Sequence, residues 1–210
     1  MDRRTFFKKS FGASVVVSAA LAGTYENLFA ASSSASVPYD LVAVKGGEPD
    51  VMLQNGMEAL GGIRAFVKKG QKVVIKPNIG WDVSPERAGN TNPKLVGEIV
   101  RQCRNAGASE IYVLDHTCDN WQRSYKNSGI ESAVKDAGGK VAPAHTEGYY
   151  QEISIPNGKS LTKAKEHELI LSADVFINVH VVKFHEGTRL SITMNNLMGI
   201  VWVRSIWHRS

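Results

Sequence analysis

Apolar and polar residues alternate in blocks along most of the chain, a pattern typical of strands followed by helices. Apolar runs of strand length lie at Leu41–Val44, Lys72–Lys76, Ile111–Leu114 and Val175–Val179. These runs lack a polar residue at every second position, as expected for strands that are buried on both faces. Strands that alternate with helices in this order predict an α/β fold, with a mostly parallel open sheet and helices on both faces.

Two helices between these runs have recognisable ends. Asn92 is placed to cap a helix that begins at Pro93, continues with apolar residues at helical spacing, and ends at Gly107. Ser128 and Glu131 form a capping box that predicts the start of a second helix. Both helices lie between predicted strands, where the crossovers of a parallel sheet require them.

The alternation changes between residues 148 and 163. Glu152–Ile155, followed by Pro156-Asn157-Gly158-Lys159, predicts a strand that enters a tight turn, and we interpret this segment as an inserted hairpin. We therefore predict a single α/β domain over residues 37–210.

The C-terminal segment Ile200–Ser210 is apolar and has no turn or capping signal after Gly199, so its apolar residues need another surface to pack against. This favours a domain whose C-terminal part is missing.

The N-terminal residues 1–36 predict an export signal and a linker. A twin arginine, Arg3-Arg4, precedes two aromatic residues and Lys8, and the apolar stretch Phe11–Ala22 follows. This order is typical of a twin-arginine (Tat) signal peptide, and the Ala/Ser-rich stretch Ala30–Ser36 is typical of a linker. The apolar stretch is shorter than the roughly 20 residues that a membrane-spanning helix needs. We predict the Tat machinery as a partner, a periplasmic or extracytoplasmic location, and no stable membrane span.

Composition narrows the choice of partners and cofactors. The net charge is +5 over 210 residues, and two of these charges fall in the first thirty residues. The remaining charge is scattered, with no basic run interleaved with aromatic residues, so we expect no nucleic-acid partner. Only Cys103 and Cys118 are present, which excludes an iron–sulfur cluster built from this chain alone. Fingerprints of dinucleotide, P-loop, hydrolase and zincin sites are also missing from the sequence.

Polar residues at the carboxyl ends of the predicted strands are the first candidates for a site. Lys76 and Asn78 end one strand, and Thr91-Asn92 leads into the helix at Pro93. In an open parallel sheet, ligands bind at this edge, and a helix N-terminus attracts anions. We predict that Lys76, Asn78, Thr91 and Asn92 bind an anionic cofactor or substrate. The alternative is that the lysine segment merely ends a strand and Asn92 merely caps a helix.

Two further strand ends add charged and ionisable residues. Lys183 and His185 make a cationic pair suited to an anion or to acid–base catalysis, and we predict them as catalytic residues. The alternative is that both are solvated residues after a buried strand. Asp115 could orient His116 or bind a cation, and the alternative is that it acts as a cap. A metal ion is therefore a candidate cofactor, with Asp115 and His180 as its predicted ligands.

The order and spacing of several motifs resemble a known family. These motifs are Val73-Val74-Ile75-Lys76-Pro77-Asn78, Thr91-Asn92-Pro93, Ala106-Gly107-Ala108, Val113-Leu114-Asp115, Lys183-Phe184-His185 with Thr188 and Ser191, and Asn196-Leu197-Met198-Gly199. Together they resemble the bacterial and archaeal family catalogued as domain of unknown function 362. The resemblance implies an α/β domain, sometimes exported by a Tat signal and sometimes fused to a ferredoxin-like module. Asn196 joins the predicted cofactor-binding residues, whereas the lysine usual in the family before the Asn-Leu pair is Asn195 here.

These observations leave three interpretations open. The chain is either an exported cofactor- or metal-dependent enzyme that acts on a small anionic substrate, or a module that binds an anion or cofactor without chemistry. The third interpretation is a non-functional fragment of a longer protein. The first two share one spatial expectation, that residues 76, 92, 115 and 183 lie on a common rim of the fold.

Overall fold

A four-stranded sheet lies at the centre of the computed structural model, which describes residues 39–186 and 189–205 apart from the side chain of His185. Its strands are β1 (Lys72–Pro77), β2 (Glu110–Val113), β3 (Lys140–Val141) and β6 (Val175–Val179). They are arranged in the order β3-β2-β1-β6, and every neighbouring pair is parallel. The predicted α/β fold with a parallel sheet is confirmed.

Helices cover both faces of this sheet. They are α1 (Pro49–Ala59), α2 (Pro93–Ala106), α3 (Trp121–Asn127), α4 (Ile130–Asp136), α5 (Glu168–Leu171) and α6 (Thr193–Asn196). Single 3₁₀ turns lie at Ile63–Ala65, Pro85–Arg87, Glu147–Tyr149 and Leu197–Ile200. Helices α1 to α4 pack on one face, and α5 lies on the other together with an antiparallel hairpin.

The side chains of β1 alternate between two cores. Val73 and Ile75 pack with Val96 and Val100 of α2, whereas Val74 faces the opposite core. All three β1 valine and isoleucine side chains are fully buried. Because each face of a central parallel strand is covered, its sequence is apolar at every position instead of every second one. This explains why the apolar run at Lys72–Lys76 predicted a strand correctly.

The structure confirms the ends predicted for α2 and corrects the start predicted for α4. Asn92 caps α2 by accepting a hydrogen bond from the backbone N–H of Lys94 (2.9 Å), and Gly107 ends it at φ 94°, a left-handed conformation that suits glycine. Helix α4 is capped by Gly129, without a side-chain cap, so the predicted capping box is wrong. Ser128 instead closes α3 and donates to the carbonyl of Tyr125.

The predicted hairpin is confirmed, but the first predicted strand is not. Strands β4 (Tyr150–Ser154) and β5 (Lys163–His167) pair antiparallel around the turn.

Leu41–Val44 forms no strand, and Leu41 is 84% exposed. An apolar run becomes a strand only where a sheet edge offers it hydrogen bonds and burial, and this segment has neither. A second ribbon, formed by β7 (Lys183–His185) and β8 (Arg189–Ser191), was not predicted.

Two of the C-terminal apolar residues, Val201 and Trp202, find partners within the domain, whereas Val203 is 46% exposed. Val201 is buried and pairs with Glu166 of β5, and Trp202 packs beside Tyr150 in the second core. For Val201 and Trp202, the domain itself supplies the partner surface that the sequence pattern predicted. The predicted Tat signal lies outside the described residues. Within the part of the chain that the structure describes, no helix is both long and apolar enough to cross a membrane.

Candidate functional site

A pocket of about 330 Å³ opens at the carboxyl edge of the sheet. The chain runs from β1 to β2 and β3 on one side and returns to β6 on the other side of β1. The loops that leave β1 and β6 therefore diverge, and a crevice forms between them. Ligands of open α/β sheets bind at such switch points. Residues that follow β1, β2 and β6 line the pocket together with α6 and the segment after it.

A buried ion pair forms the base of the pocket. The Nζ atom of Lys76 lies 2.7 Å from Oδ1 of Asp115, and both side chains are nearly inaccessible, at 1% and 3% exposure. Lys76 also donates to the carbonyl of Pro77 and to Oδ1 of Asn196, each at 2.9 Å, so all three of its hydrogens have acceptors. Burial lowers the pKa of Lys76, and the Asp115 carboxylate opposes this effect. Lys76 therefore supplies charge to the pocket but has no hydrogen left for a ligand.

Asn196 ties three elements together around this ion pair. Its side-chain oxygen accepts from Lys76 and from Asn78 (3.3 Å). Its amide nitrogen donates to the backbone carbonyl of Lys76 (3.2 Å) and to Oδ1 of Asn178 (2.6 Å) in β6. Because the Asn196 amide is buried and fully hydrogen-bonded, it acts as a rigid support for the ends of β1 and β6.

Gly199 lies directly against the same ion pair. A Cβ atom at this position would overlap Oδ1 of Asp115 and would lie 2.6 Å from Cε of Lys76. The carbonyl of Gly199 also accepts a hydrogen bond from the backbone N–H of His116 (3.1 Å). The 3₁₀ turn Leu197–Ile200 can pack onto the ends of β1 and β2 because this residue has no side chain.

Lys183 is the second lysine of the pocket, and it is only half-buried. Its Nζ donates to Oδ1 of Asn78 (2.6 Å) and to the carbonyl of Gly89. One of its three hydrogens has no acceptor among the described residues. Burial is the main cause that lowers the pKa of Lys183; the charge of Lys76 acts in the same direction, and Asp115 acts against it. Lys183 is thus a cation that can still donate to a ligand.

Arg204 completes the cationic lining from the far end of the chain. Its guanidinium donates to the carbonyls of His116 and Thr117, each at 3.2 Å, and to the sulfur of Cys118 at 3.3 Å. These contacts hold the planar group over the loop that follows β2.

The ring of His116 stacks on Trp202 with centroids 5.2 Å apart. Burial, with a smaller effect from Arg204, lowers the pKa of His116, so we expect this ring to be neutral near pH 7.

The structure brings together most, but not all, of the predicted site residues. Lys76, Asn78, Asp115, Lys183 and Asn196 line the pocket, as expected from their places at strand ends. The sequence interpretation did not select Arg204, which lies 88 residues from His116, because no local pattern connects this arginine with the strand ends.

Thr91 and Asn92 do not line the pocket. The Thr91 hydroxyl donates to the carbonyl of Val179 (2.8 Å) and accepts from the backbone N–H of Asn78 (2.8 Å), so it joins the ends of β6 and β1. Asn92 is exposed and caps α2. Both side chains thus support the scaffold, and the start of α2 does not share the rim formed by residues 76, 115 and 183.

The residues predicted as metal ligands are held in other ways. The Asp115 carboxylate accepts from Lys76 and, at 2.6 Å, from the backbone N–H of Ile79. His180 does not line the pocket and contacts the hydroxyl of Thr193 at 3.0 Å. Among the described side chains, no three His, Cys, Asp or Glu residues come together as a metal site. The catalytic role of His185 stays a prediction, because its side chain lies outside the described part of the structure.

Comparisons with known proteins agree with the motif order noted above. The sequence profile of the family described as "Domain of unknown function (DUF362)" matches residues 73–210, a range that contains every pocket residue discussed here. Thylakoid-associated protein sll1697 of Synechocystis sp. (strain ATCC 27184 / PCC 6803 / Kazusa) is 25% identical over 158 residues. That match covers 74% of this chain and 48% of the relative, so the chain spans about half the length of that protein. The chain belongs to the DUF362 family.

Proposed function

We propose that the protein binds a small anionic ligand in the pocket at the carboxyl edge of its sheet. The observation that carries this proposal is the charge of the lining: among the described residues that line the pocket, Lys76, Lys183 and Arg204 are accompanied by a single carboxylate, that of Asp115. An excess of cationic groups in a concave, partly desolvated site attracts anions more strongly than the same groups do on an open surface.

The three cations have different tasks in this proposal. Lys183 and Arg204 contact the ligand, because both keep N–H groups without an acceptor among the described residues. Lys76 acts through its charge and through its hydrogen bond to Asn196, which positions the Asn78 amide. Asn78 in turn fixes the Lys183 ammonium. The ligand thus completes a hydrogen-bond network that already exists.

A second candidate function is acid–base catalysis on the bound anion, which the surroundings of Lys183 favour. A lysine whose pKa is lowered by burial and by a neighbouring cation is a better general base near neutral pH than an exposed lysine. The half-buried position of Lys183 is the main cause of its lowered pKa; the charge of Asp115 opposes this effect, and that of Lys76 adds to it.

Cys118 provides a direct readout of ligand binding. It is exposed and lines the pocket, so an occupied pocket should slow its alkylation by iodoacetamide. Cys103 is buried, and burial raises the pKa of its thiol to about 12, so this second cysteine should not react on the same timescale. The alkylation rate as a function of anion concentration therefore measures the dissociation constant.

Lys183→Met is expected to weaken binding of inorganic phosphate by roughly tenfold to a hundredfold, the loss of one charge-assisted hydrogen bond. The rate of Cys118 alkylation in the full chain at pH 8, followed over a range of phosphate concentrations, measures the dissociation constant. Lys94→Met is the matched control, since this lysine is exposed and paired with Glu48. Asn92→Ala should also retain affinity, because Asn92 caps α2 away from the pocket. Unchanged affinity in Lys183→Met contradicts the proposal.

We also propose that the N-terminal residues direct export through the Tat pathway, on the evidence of the twin arginine and the apolar stretch that follows it. Replacing Arg3 and Arg4 together by lysine is expected to retain nearly all of the protein in the cytoplasm. Lys8→Arg is the control and should be exported normally. The measurement is the amount of protein in periplasmic and cytoplasmic fractions, and equal export of the double variant would exclude this route.

A further inference from the structure

Large apolar side chains line the pocket beside its cations. Trp81 is 45% exposed and Phe184 is 75% exposed, although both lie at the pocket, and Met198 lines it as well. Exposed aromatic residues contribute little to folding, and where they rim a concave site they mark a surface for a ligand. The lining thus combines apolar walls with cationic groups.

The backbone at Trp81 is fixed despite the exposure of its indole ring. The Trp81 N–H donates to Oδ1 of Asn90 (3.0 Å), and the Asn90 amide donates back to the carbonyl of Trp81 (2.8 Å). Asn90 is itself largely buried. This reciprocal pair of hydrogen bonds holds the loop after β1 in one position, so the indole ring is presented at the pocket on a rigid support.

Phe184 is the second aromatic residue of the lining, and its strand is anchored through its neighbour in sequence. The Lys183 ammonium is bound to Asn78 and to the Gly89 carbonyl, which anchors β7 to the end of β1 and to the loop before α2. Phe184 also pairs with Leu190 across the β7–β8 ribbon. Lys183 and Phe184 both line the pocket, so a ligand in it can contact both residues.

The size of the pocket also bears on the nature of its ligand. At about 30 Å³ for each water molecule, 330 Å³ has room for roughly ten waters. An inorganic anion of five heavy atoms would fill only part of this space and would leave the aromatic rings exposed. Sites of about 300 Å³ and more commonly hold organic molecules.

We infer that the ligand is an organic anion with an aromatic or other flat apolar part. Its carboxylate or phosphate binds Lys183 and Arg204, and its apolar part packs on Trp81 and Phe184. This inference rests on the proposed anion-binding function and adds the chemical class of the ligand. Trp81 and Phe184 then determine specificity for organic over inorganic anions.

The test compares matched pairs of anions on the full chain at pH 8, with Cys118 alkylation as the readout. Phenyl phosphate is expected to bind at least tenfold more tightly than inorganic phosphate, and benzoate more tightly than acetate. Trp81→Ala and Phe184→Ala should each reduce the phenyl phosphate advantage to threefold or less and leave the affinity for inorganic phosphate unchanged. Val182→Ala is the control, since Val182 is an exposed apolar residue before β7 that does not line the pocket.

The possible outcomes separate this inference from the proposed function. If phenyl phosphate and inorganic phosphate bind equally, the pocket binds anions but the inference is wrong. An advantage that survives both aromatic substitutions also overturns it. If none of the four anions protects Cys118, the proposed function and the inference fail together. Because both aromatic side chains are exposed, their substitution should not prevent folding, which circular dichroism checks.

Discussion

Asp115→Ala is expected to lower the free energy of unfolding by about 3–5 kcal/mol, a typical effect of leaving a buried charge without its partner. Lys76 is 1% exposed and would keep only neutral acceptors, Asn196 and the Pro77 carbonyl. The backbone N–H of Ile79 would lose its acceptor as well. The stability of a domain of this size is of the order of 5–15 kcal/mol, so this variant should be severely destabilised.

Urea denaturation followed by circular dichroism measures this loss at pH 7. The control is Glu48→Ala, which breaks the exposed ion pair with Lys94 and should change stability by no more than about 1 kcal/mol. In a second variant, Lys76→Met with Asp115→Asn, no charge remains at the base of the pocket, and the loss should be smaller than in Asp115→Ala. A loss of less than 1 kcal/mol in Asp115→Ala would show that Lys76 is not buried as described.

The pH dependence of Asp115→Ala provides a check on the cause of this loss. Burial lowers the pKa of Lys76 below 10.5, and removal of Asp115 removes the main effect that raises it. The unfolded chain then binds a proton more tightly than the folded protein does, so stability rises with pH in the window below 10.5. The deficit of the variant relative to the wild type should therefore shrink between pH 7 and pH 10.

Gly199→Ala is expected to abolish protection of Cys118 by inorganic phosphate and to destabilise the fold by about 1–3 kcal/mol, the usual range for overpacking a tight site. The added methyl group would meet the Lys76–Asp115 pair, with 2.8 Å to the lysine Nζ atom. Either the turn Leu197–Ile200 moves away from the sheet or the ion pair separates. Both changes disturb Asn196 and the base of the pocket.

Gly148→Ala is the matched control for this substitution. Gly148 also lies in a 3₁₀ turn, and a Cβ atom there would meet nothing within 4 Å. Its stability should change by about 0.5 kcal/mol or less, and phosphate protection of Cys118 should be retained. If the Gly199→Ala and Gly148→Ala variants bind phosphate equally well, then phosphate binding does not depend on the close contact between the turn Leu197–Ile200 and the Lys76–Asp115 ion pair.

Local sequence signals were sufficient for much of the scaffold. The apolar runs over β1 and β2 identified central strands, whose side chains are buried or half-buried on both faces. The run over β6 also forms a strand, but at the edge of the sheet, where Phe176 is 36% exposed and the predicted burial of both faces is wrong. The two ends of α2, at Asn92 and Gly107, could be predicted from the sequence because helix capping depends on residues only a few positions apart. Leu41–Val44 carried the same apolar signal but forms no strand, since the signal does not report whether a sheet edge is available to pair with it.

The candidate site followed from the sequence only in part. Lys76, Asp115 and Lys183 could be expected to converge, because the carboxyl ends of neighbouring parallel strands lie at one edge. Their roles could not be predicted: the first two form an ion pair, and one Lys183 hydrogen has no acceptor in the described part of the chain. Asn92 was expected at the same edge, yet its side chain only caps α2 there.

By itself, the sequence determined the α/β class, the parallel strands and the set of polar residues at their ends, since these depend on periodicity and on short-range capping. The tertiary structure alone decided that Arg204 reaches the loop after β2 and that Gly199 packs on the ion pair. Both contacts join segments more than eighty residues apart, where charge and packing depend on distances that no local pattern encodes.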